Sequence, residues 1–412
     1  GEKFMAHDVI AEAKKCLNCK KPLCRTGCPI NTPIPQMIQA FLNGDINGAG
    51  KMLFDNNPLS VICSIVCDHG RQCQGHCVRG IKGDPVEVGT IENFISERYL
   101  DVLKIDCAPQ NGIKVAVIGS GPAGITTAIK MAQLGYDVTV FESKAKIGGV
   151  LRFGIPEFRL PKSFIDRYDA LMRRLGIKVR PNITIGKFFG IEELFRDGFK
   201  AISIGTGVTW PNTLNIHGET LGNVHYGVHY LESPEVYELG DSLIVIGAGN
   251  VAMDVARTAM RRGVRSVKIV VRSDRSTANK DELEYAKIEG AEIIFNKAPV
   301  EITDEGVYFK DTVCDENHKV ISMSEKAGLM RADSVIIAVS QKPSNLILTD
   351  TKGLELTDRG LAKIDENGMT SRPGLFASGD VVKGAKTVVE AVEQAKRVAL
   401  HMDEYLKSLP KE

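Results

Sequence analysis

Among its 412 residues the chain has no apolar run approaching the length of a bilayer span, and its polar start lacks the apolar region of a secretory signal. Net charge is nearly absent as well. Fifty-two basic residues against 51 acidic ones leave +1 at neutral pH, so no electrostatic case exists for nucleic acid or an anionic membrane as partner. These absences predict a soluble, cytoplasmic chain, long enough for two or three domains with their own cores. Cysteine is scarce over most of the length. Only Cys107 and Cys314 follow Cys77, whereas eight of the ten cysteines crowd between Cys16 and Cys77. Gly1 reads as a remnant of tag cleavage.

The stretch from Lys114 to Glu142, KVAVIGSGPAGITTAIKMAQLGYDVTVFE, organises the rest. Val115 to Ile118 is a short apolar run suited to a buried parallel strand. Gly119, Gly121 and Gly124 then follow as G-x-G-x-x-G, with Pro122 and Ala123 between them, and open an amphipathic helix that ends at Gly135. The first glycine permits the tight turn, the second the approach of a pyrophosphate, the third close helix–strand packing. The helix N-terminus offers the positive end of a dipole to the phosphates. Glu142 closes the second strand, placed to accept from a ribose hydroxyl. Strand, glycines, helix, strand and acid in this order specify a dinucleotide site.

A second fingerprint, LIVIGAGNVAMDVARTAMRRG, carries Gly247, Gly249, Asn250, Val251 and Ala252 as G-x-G-x-x-A. Its second strand, VKIVV, runs into Arg272 with no terminal acid. An acid there hydrogen-bonds the 2′-hydroxyl of NAD, whereas arginine suits the 2′-phosphate of NADP. Arg272 and Arg275 are therefore the expected NADP-selecting pair, and Asp274 between them is the feature that favours NAD instead. Lys297 to Arg331 reads as a β-hairpin layer of this second region.

The cysteines are spaced C-x2-C-x4-C-x3-C-P (Cys16, Cys19, Cys24, Cys28) and C-x3-C-x5-C-x3-C (Cys63, Cys67, Cys73, Cys77). Helical C-x3-C puts two sulfurs on one face, and Cys-Pro ends a ferredoxin-type run whose last cysteine ligates the other cluster. Iron–sulfur clusters with crossed ligation are thus expected. Structural zinc is the alternative, although zinc ribbons pair two C-x2-C hairpins and the second group has none. Counting alone gives two all-cysteine sites with Cys63 included. Helices are predicted over Ile34 to Asn43 and Glu87 to Leu100, in a segment held by its inorganic centres rather than by a large apolar core. His69 and His76 are expected at the surface or behind the ligands.

The cysteine pattern, then PLSVICSIVC, VGTIENF and the first glycine fingerprint, resembles the small (β) subunit of NADPH-dependent glutamate synthase. The large subunit of electron-bifurcating ferredoxin:NADP transhydrogenase and the N-terminal half of dihydropyrimidine dehydrogenase share the resemblance. It implies two [4Fe–4S] clusters, one on Cys16, Cys19, Cys24 and Cys77, the other on Cys28, Cys67, Cys73 and Glu92, with Cys63 a packing thiol. It implies FAD at the first fingerprint and NADP(H) at the second. Gly149, Leu151 and Arg152 then lie along the flavin ring. Gly205, Thr206 and Gly207 mark where the chain leaves the flavin domain. Gly379 and Asp380 meet the ribityl or pyrophosphate region, and a helix starting near Thr387 faces the flavin pyrimidine.

The implied fold is α/β: two nested Rossmann-like domains, for FAD (residues 108–211 and 345–412) and NAD(P)H (residues 212–344), behind a helical iron–sulfur domain (residues 1–107). The implied work is oxidation of NADPH, electrons passing through FAD and the clusters to a glutamate synthase large subunit. A transhydrogenase subunit with a ferredoxin-linked flavoprotein partner, and a non-catalytic cluster-bearing scaffold, are the alternatives. No general acid or base is expected. The segment before Cys16 is short for the resembled family, so part of a partner-contacting lead-in is expected to be missing.

Overall fold

The computed structural model describes residues 2–187 and 189–410, which leaves Gly1 outside. The cysteine-bearing segment contains five principal helices: Glu2–Lys14, Ile34–Leu42, Ile46–Asn56, Ser60–Val66 and Val88–Val102. Pro35 opens the second, where its missing N–H costs nothing, and the Asp45 carboxylate caps the third by accepting from Gly48 N at 2.8 Å. Contrary to the expectation of a segment lacking a large apolar core, Ala13, Ile34, Met37, Ile38, Leu53, Ile91 and Ile95 form a buried cluster. The apolar positions are shared among several short helices, so no single stretch announces the core. The Asn56–Pro58 turn is fixed by Asn57 Oδ1, which accepts from Leu59 N at 2.9 Å.

Two compact units divide the chain. The first joins that helical segment to a five-stranded parallel sheet, with strands in the order Leu375–Ala377, Phe199–Ile204, Lys114–Ile118, Asp137–Phe141 and Lys178–Arg180. Both faces are covered, which is why Val115 to Val117 can be wholly apolar and wholly buried. On one side the helices Pro122–Gln133 and Val388–Ser408 pack through Ala123, Ala391 and Ala395, small residues that let backbones approach. On the other, Ile202, Ile204 and Leu375 meet Ile191, Leu194 and Ile347.

Polar ties fasten the helical segment to this sheet layer. Tyr168 Oη donates to Pro58 O at 2.6 Å, and Arg167 Nη2 donates to Glu97 O at 2.8 Å and pairs with Asp101 at 2.7 Å.

The second unit comprises Thr209–Lys342 with Arg152–Pro156. Its parallel sheet runs Val224–Tyr226, Ser334–Ile337, Ser242–Ile246, Ser266–Val270 and Glu292–Ile294. The layer expected as a hairpin is a three-stranded antiparallel meander, Lys297–Thr303, Gly306–Cys314 and Val320–Arg331. Ile302, Val307 and Phe309 on it pack against Ile244, Ile246 and Val335 of the parallel sheet. Among the described residues no helix is long and apolar enough to cross a membrane.

Candidate functional site

The carboxyl ends of three neighbouring strands build the first cradle. Main-chain bonds continue the sheet one step past each strand: Gly119 N to Phe141 O at 2.8 Å, Gly205 N to Ile118 O at 2.8 Å, and Ser378 N to Ile204 O at 3.1 Å. Ligands of open α/β sheets bind at this edge. Gly119 takes φ +92°, and a Cβ on Gly124 would stand 1.9 Å from Gly119 O, so neither position admits a larger residue without backbone movement. Gly149, φ +51°, abuts Gly121 in the same way, a Cβ there standing 2.7 Å from the Gly121 Cα. Pro122 and Ala123 begin the helix that Gly121 caps. The cradle thus offers bare backbone at a helix N-terminus, the surface a pyrophosphate needs.

Glu142 ends the second strand, 5 % exposed. One oxygen accepts from Ser120 N at 3.0 Å and from the Ser120 hydroxyl, the other from Lys144 N at 2.7 Å and Ser143 Oγ at 3.1 Å. These occupy about four lone-pair sites, a carboxylate's usual capacity, so a ribose hydroxyl would displace a serine hydroxyl. Thr206 Oγ1 and Ser378 Oγ are buried here without a hydrogen-bond partner, orphaned polar atoms that fit a polar cofactor. Gly207 follows at φ +67°. Gly379 N donates to the buried Gln394 Oε1 at 2.9 Å. Ser120, Ser378 and Gln394 escaped sequence reasoning because hydroxyls and amides carry no spacing signature.

Asp380 is half-buried, and burial pushes its carboxyl up to about 7 against one opposing bond from Lys386 N at 3.2 Å. Thr387 caps the terminal helix in a capping box, its hydroxyl donating to Glu390 Oε2 at 2.6 Å. Leu151 is fully buried and its carbonyl accepts from Lys162 Nζ at 2.9 Å; Arg152 is half-buried and belongs to the second unit.

In the second unit Gly249 caps the helix Asn250–Arg261, and a Cβ on Gly247 would meet Ala338 O at 2.3 Å. Asn250 Oδ1 accepts from Asn279 N at 2.7 Å, while Val251 and the buried Ala252 form the first turn. Arg272 and Arg275 are exposed just beyond the Ser266–Val270 strand. Asp274 is engaged elsewhere: its carboxylate lies 2.8 Å from His318 Nδ1, on the turn between the last two meander strands.

Cys16, Cys19, Cys24 and Cys77 line one cavity, walled by Ile34 and Ile38. Burial raises the Cys24 thiol to about 11, with Cys77, Cys16 and Cys19 adding to the rise. A second group of sulfurs gathers around Cys73 and Glu92, with Cys24 of the first group near enough to Cys73 to be felt there. Burial, then Glu92 and Cys28, push Cys73 far above the ordinary thiol range, and Cys67 is raised by Cys63, burial, Glu92 and Cys73. Glu92 is 7 % exposed, and burial raises it to about 8. All ten cysteines are free thiols, and among the described residues no three His, Cys, Asp or Glu converge tightly enough for a single metal ion. Two pools of soft sulfur donors, one around a cavity, fit iron–sulfur chemistry. His76 packs on Gly27 and bonds Gln72 O at 2.6 Å, and His69 packs on Gly89.

Residues 113–395 match the pyridine nucleotide-disulphide oxidoreductase family, and residues 2–102 match dihydropyrimidine dehydrogenase domain II, 4Fe-4S cluster. The chain belongs to the pyridine nucleotide-disulphide oxidoreductase family. It is an iron–sulfur flavin oxidoreductase whose cofactors are FAD, a pyridine nucleotide and 4Fe–4S centres. It is 31 % identical to the glutamate synthase [NADPH] small chain of Halomonas elongata, over 98 % of this chain and 92 % of that one. It is 32 % identical to the NAD-dependent dihydropyrimidine dehydrogenase subunit PreT of Escherichia coli O157:H7, over 96 % and 94 %. Mycobacterium tuberculosis FprA in complex with NADPH shares the oxidoreductase fold at TM-score 0.62 and 17 % identity, over 72 % of this chain and 85 % of that one. The same fold is found in T. acidophilum thioredoxin reductase, at TM-score 0.57 and 22 % identity over 72 % of this chain and 98 % of that one.

Proposed function

We propose that this chain is the nicotinamide-oxidising subunit of a glutamate-synthase-type enzyme, drawing on NADPH and supplying a larger partner through two [4Fe–4S] centres. The observation that carries this reading is the pairing, within one unit, of the glycine cradle with two adjoining cysteine pools. When bound, the flavin would split the electron pair of one hydride into single electrons, which the clusters would accept one at a time. The protein's own contribution is placement. Gly121 and the helix behind it hold the flavin pyrophosphate, with Thr206 and Ser378 as further donors. Cys16, Cys19, Cys24 and Cys77 hold one centre; Cys28, Cys67, Cys73 and Glu92 hold the other, and Cys63 packs beside Cys67. Gly247 and Gly249 admit the nicotinamide dinucleotide, and Arg272 and Arg275 take its 2′-phosphate. The engagement of Asp274 by His318 supports NADP over NAD, since it draws away the acid that would repel that phosphate.

Anaerobic purification followed by iron, sulfide, zinc and flavin analysis tests this directly. About eight irons and one FAD per chain are expected, from two four-iron centres, with visible bleaching by NADPH ahead of NADH. Glutamate should form when a glutamate synthase large subunit is added. Zinc without sulfide, or a flavin untouched by either nicotinamide, sinks the reading. A second reading rests on the PreT relative, which matches at similar identity over 96 % of the chain. There the same subunit would serve an NAD-linked, pyrimidine-reducing partner, and bleaching by NADH ahead of NADPH would favour it.

A further inference from the structure

Cys28 sits at the near end of a polar chain that starts on the terminal helix. Its Sγ lies 3.3 Å from Thr32 Oγ1, and Thr32 is 3 % exposed. Asn56 Nδ2 donates to the same Thr32 oxygen at 3.4 Å and to Ile30 O at 3.2 Å. The amide is held that way round because Asn56 Oδ1 accepts from Lys396 Nζ at 2.9 Å, an ammonium that also reaches Asn56 O at 2.9 Å. A second lysine, Lys130, donates to Asp55 O at 2.9 Å. Both lysines therefore meet the carbonyl end of the Ile46–Asn56 helix, where unpaired C=O groups and the negative end of the dipole attract cations. Only Lys396 also holds the Asn56 amide.

We propose that Lys396, Asn56 and Thr32 form a charged hydrogen-bond relay that raises the reduction potential of the iron–sulfur centre ligated by Cys28. The inference rests on the reading above that Cys28 is a ligand. As an iron thiolate the Cys28 sulfur carries no proton, so the Thr32 hydroxyl turns to donate to it while still accepting from Asn56. Every donor then points from the ammonium toward the sulfur, and aligned hydrogen bonds polarise one another. The Lys396 charge is itself within electrostatic reach of Cys28. A reduced centre carries one more negative charge than an oxidised one. Hydrogen bonds and positive charge directed at its sulfur favour that form, which is how outer groups tune such centres.

The test is an EPR-monitored redox titration of anaerobically purified holoprotein, with dithionite and mediators. In Lys396→Met and Thr32→Val one of the two cluster signals should move to lower potential and the other stay. A roughly tenfold fall in the reduction equilibrium is expected, about 59 mV for a one-electron couple. Lys396→Arg and Thr32→Ser, which keep the donors, should restore it; Lys396→Gln serves if the methionine variant loads poorly. Lys130→Met separates tuning from helix capping, since it removes a cap and leaves the relay. The relay is overturned if fully loaded Lys396→Met and Thr32→Val titrate like wild type, or if Lys130→Met shifts the signal as far. Iron analysis of Cys28→Ala, which leaves no donor atom, tests the underlying assignment alone: loss of one centre upholds it, and a full complement removes Cys28 as ligand and the relay with it.

Discussion

The two nucleotide-binding regions share one plan and differ in how far it is closed. In the first, the terminal acid Glu142 is buried and wired to Ser120, Ser143 and Lys144, and three glycines stand where a Cβ would strike backbone. In the second, exposed Arg272 and Arg275 follow the strand, alanine replaces the third glycine, and among its fingerprint glycines Gly247 alone stands where a Cβ would strike backbone, 2.3 Å from Ala338 O. A closed, internally bonded cradle suits a cofactor that stays. An open one with exposed cations suits a cofactor that enters, reacts and leaves.

The largest effect should come from breaking the closed cradle. Gly124→Ala sets a Cβ 1.9 Å from Gly119 O with no flexible atom to yield. We expect destabilisation above about 4 kcal/mol, the range reserved for severe backbone or packing conflict, with flavin lost on purification. Gly249→Ala should fold normally and keep its flavin, because its Cβ meets only ordinary contact; its nicotinamide KM should rise about tenfold, a cost near 1.4 kcal/mol. Melting temperature and absorbance ratio for the first, and steady-state kinetics for the second, decide the matter. Equal loss of flavin in both would abolish the contrast.

The contrast also marks what a sequence discloses. Gly119 to Glu142 was legible because each residue type is demanded by backbone geometry at a fixed offset. The iron–sulfur segment gave up its ligand candidates through cysteine spacing but hid its apolar core, whose members lie on several short helices. Pairings at long range were wholly silent: Lys396 meets Asn56 across 340 positions and His318 meets Asp274 across 44. Glu92 entered only through resemblance; a glutamate within a helix carries no local sign of being buried among thiols.

Next in size is the open site itself. Arg272→Gln combined with Arg275→Gln should raise the KM for NADPH about ten- to hundredfold, as loss of hydrogen bonds to a charged group predicts, and leave NADH nearly untouched. High salt should mimic part of the effect, since both side chains are exposed. An equal rise for both nicotinamides would make these arginines general binders rather than selectors.

Smaller and opposite in sign is Asp380→Asn. Burial raises this carboxyl to about 7 in the folded protein, above the ordinary aspartate value of 3.8. Between those limits the folded state holds a proton that the unfolded state has released, so stability falls as pH rises and the loss is complete above the folded value. Asparagine removes that loss. The flavin-free variant should therefore melt a few degrees higher than wild type at pH 8 and no higher at pH 4, while binding flavin more weakly. A melting difference independent of pH would refute the burial account.

The smallest and sharpest test concerns His318. Its ring holds the Asp274 carboxylate at 2.8 Å on a partly exposed pair, the kind of contact worth at most about 1 kcal/mol. His318→Ala frees an acid flanked by the two arginines, where it can accept from a 2′-hydroxyl and repel a 2′-phosphate. The ratio of kcat/KM for NADPH to that for NADH should then fall by about twofold to fivefold, the factor such a pair can supply. His318→Ala combined with Asp274→Asn should return the ratio to its starting value, because the freed acid and not the missing ring does the discriminating. If the double variant stays low, the histidine contacts the nucleotide itself; if the single variant never moves, Asp274 lies outside the reach of the ribose and the open site selects by its arginines alone.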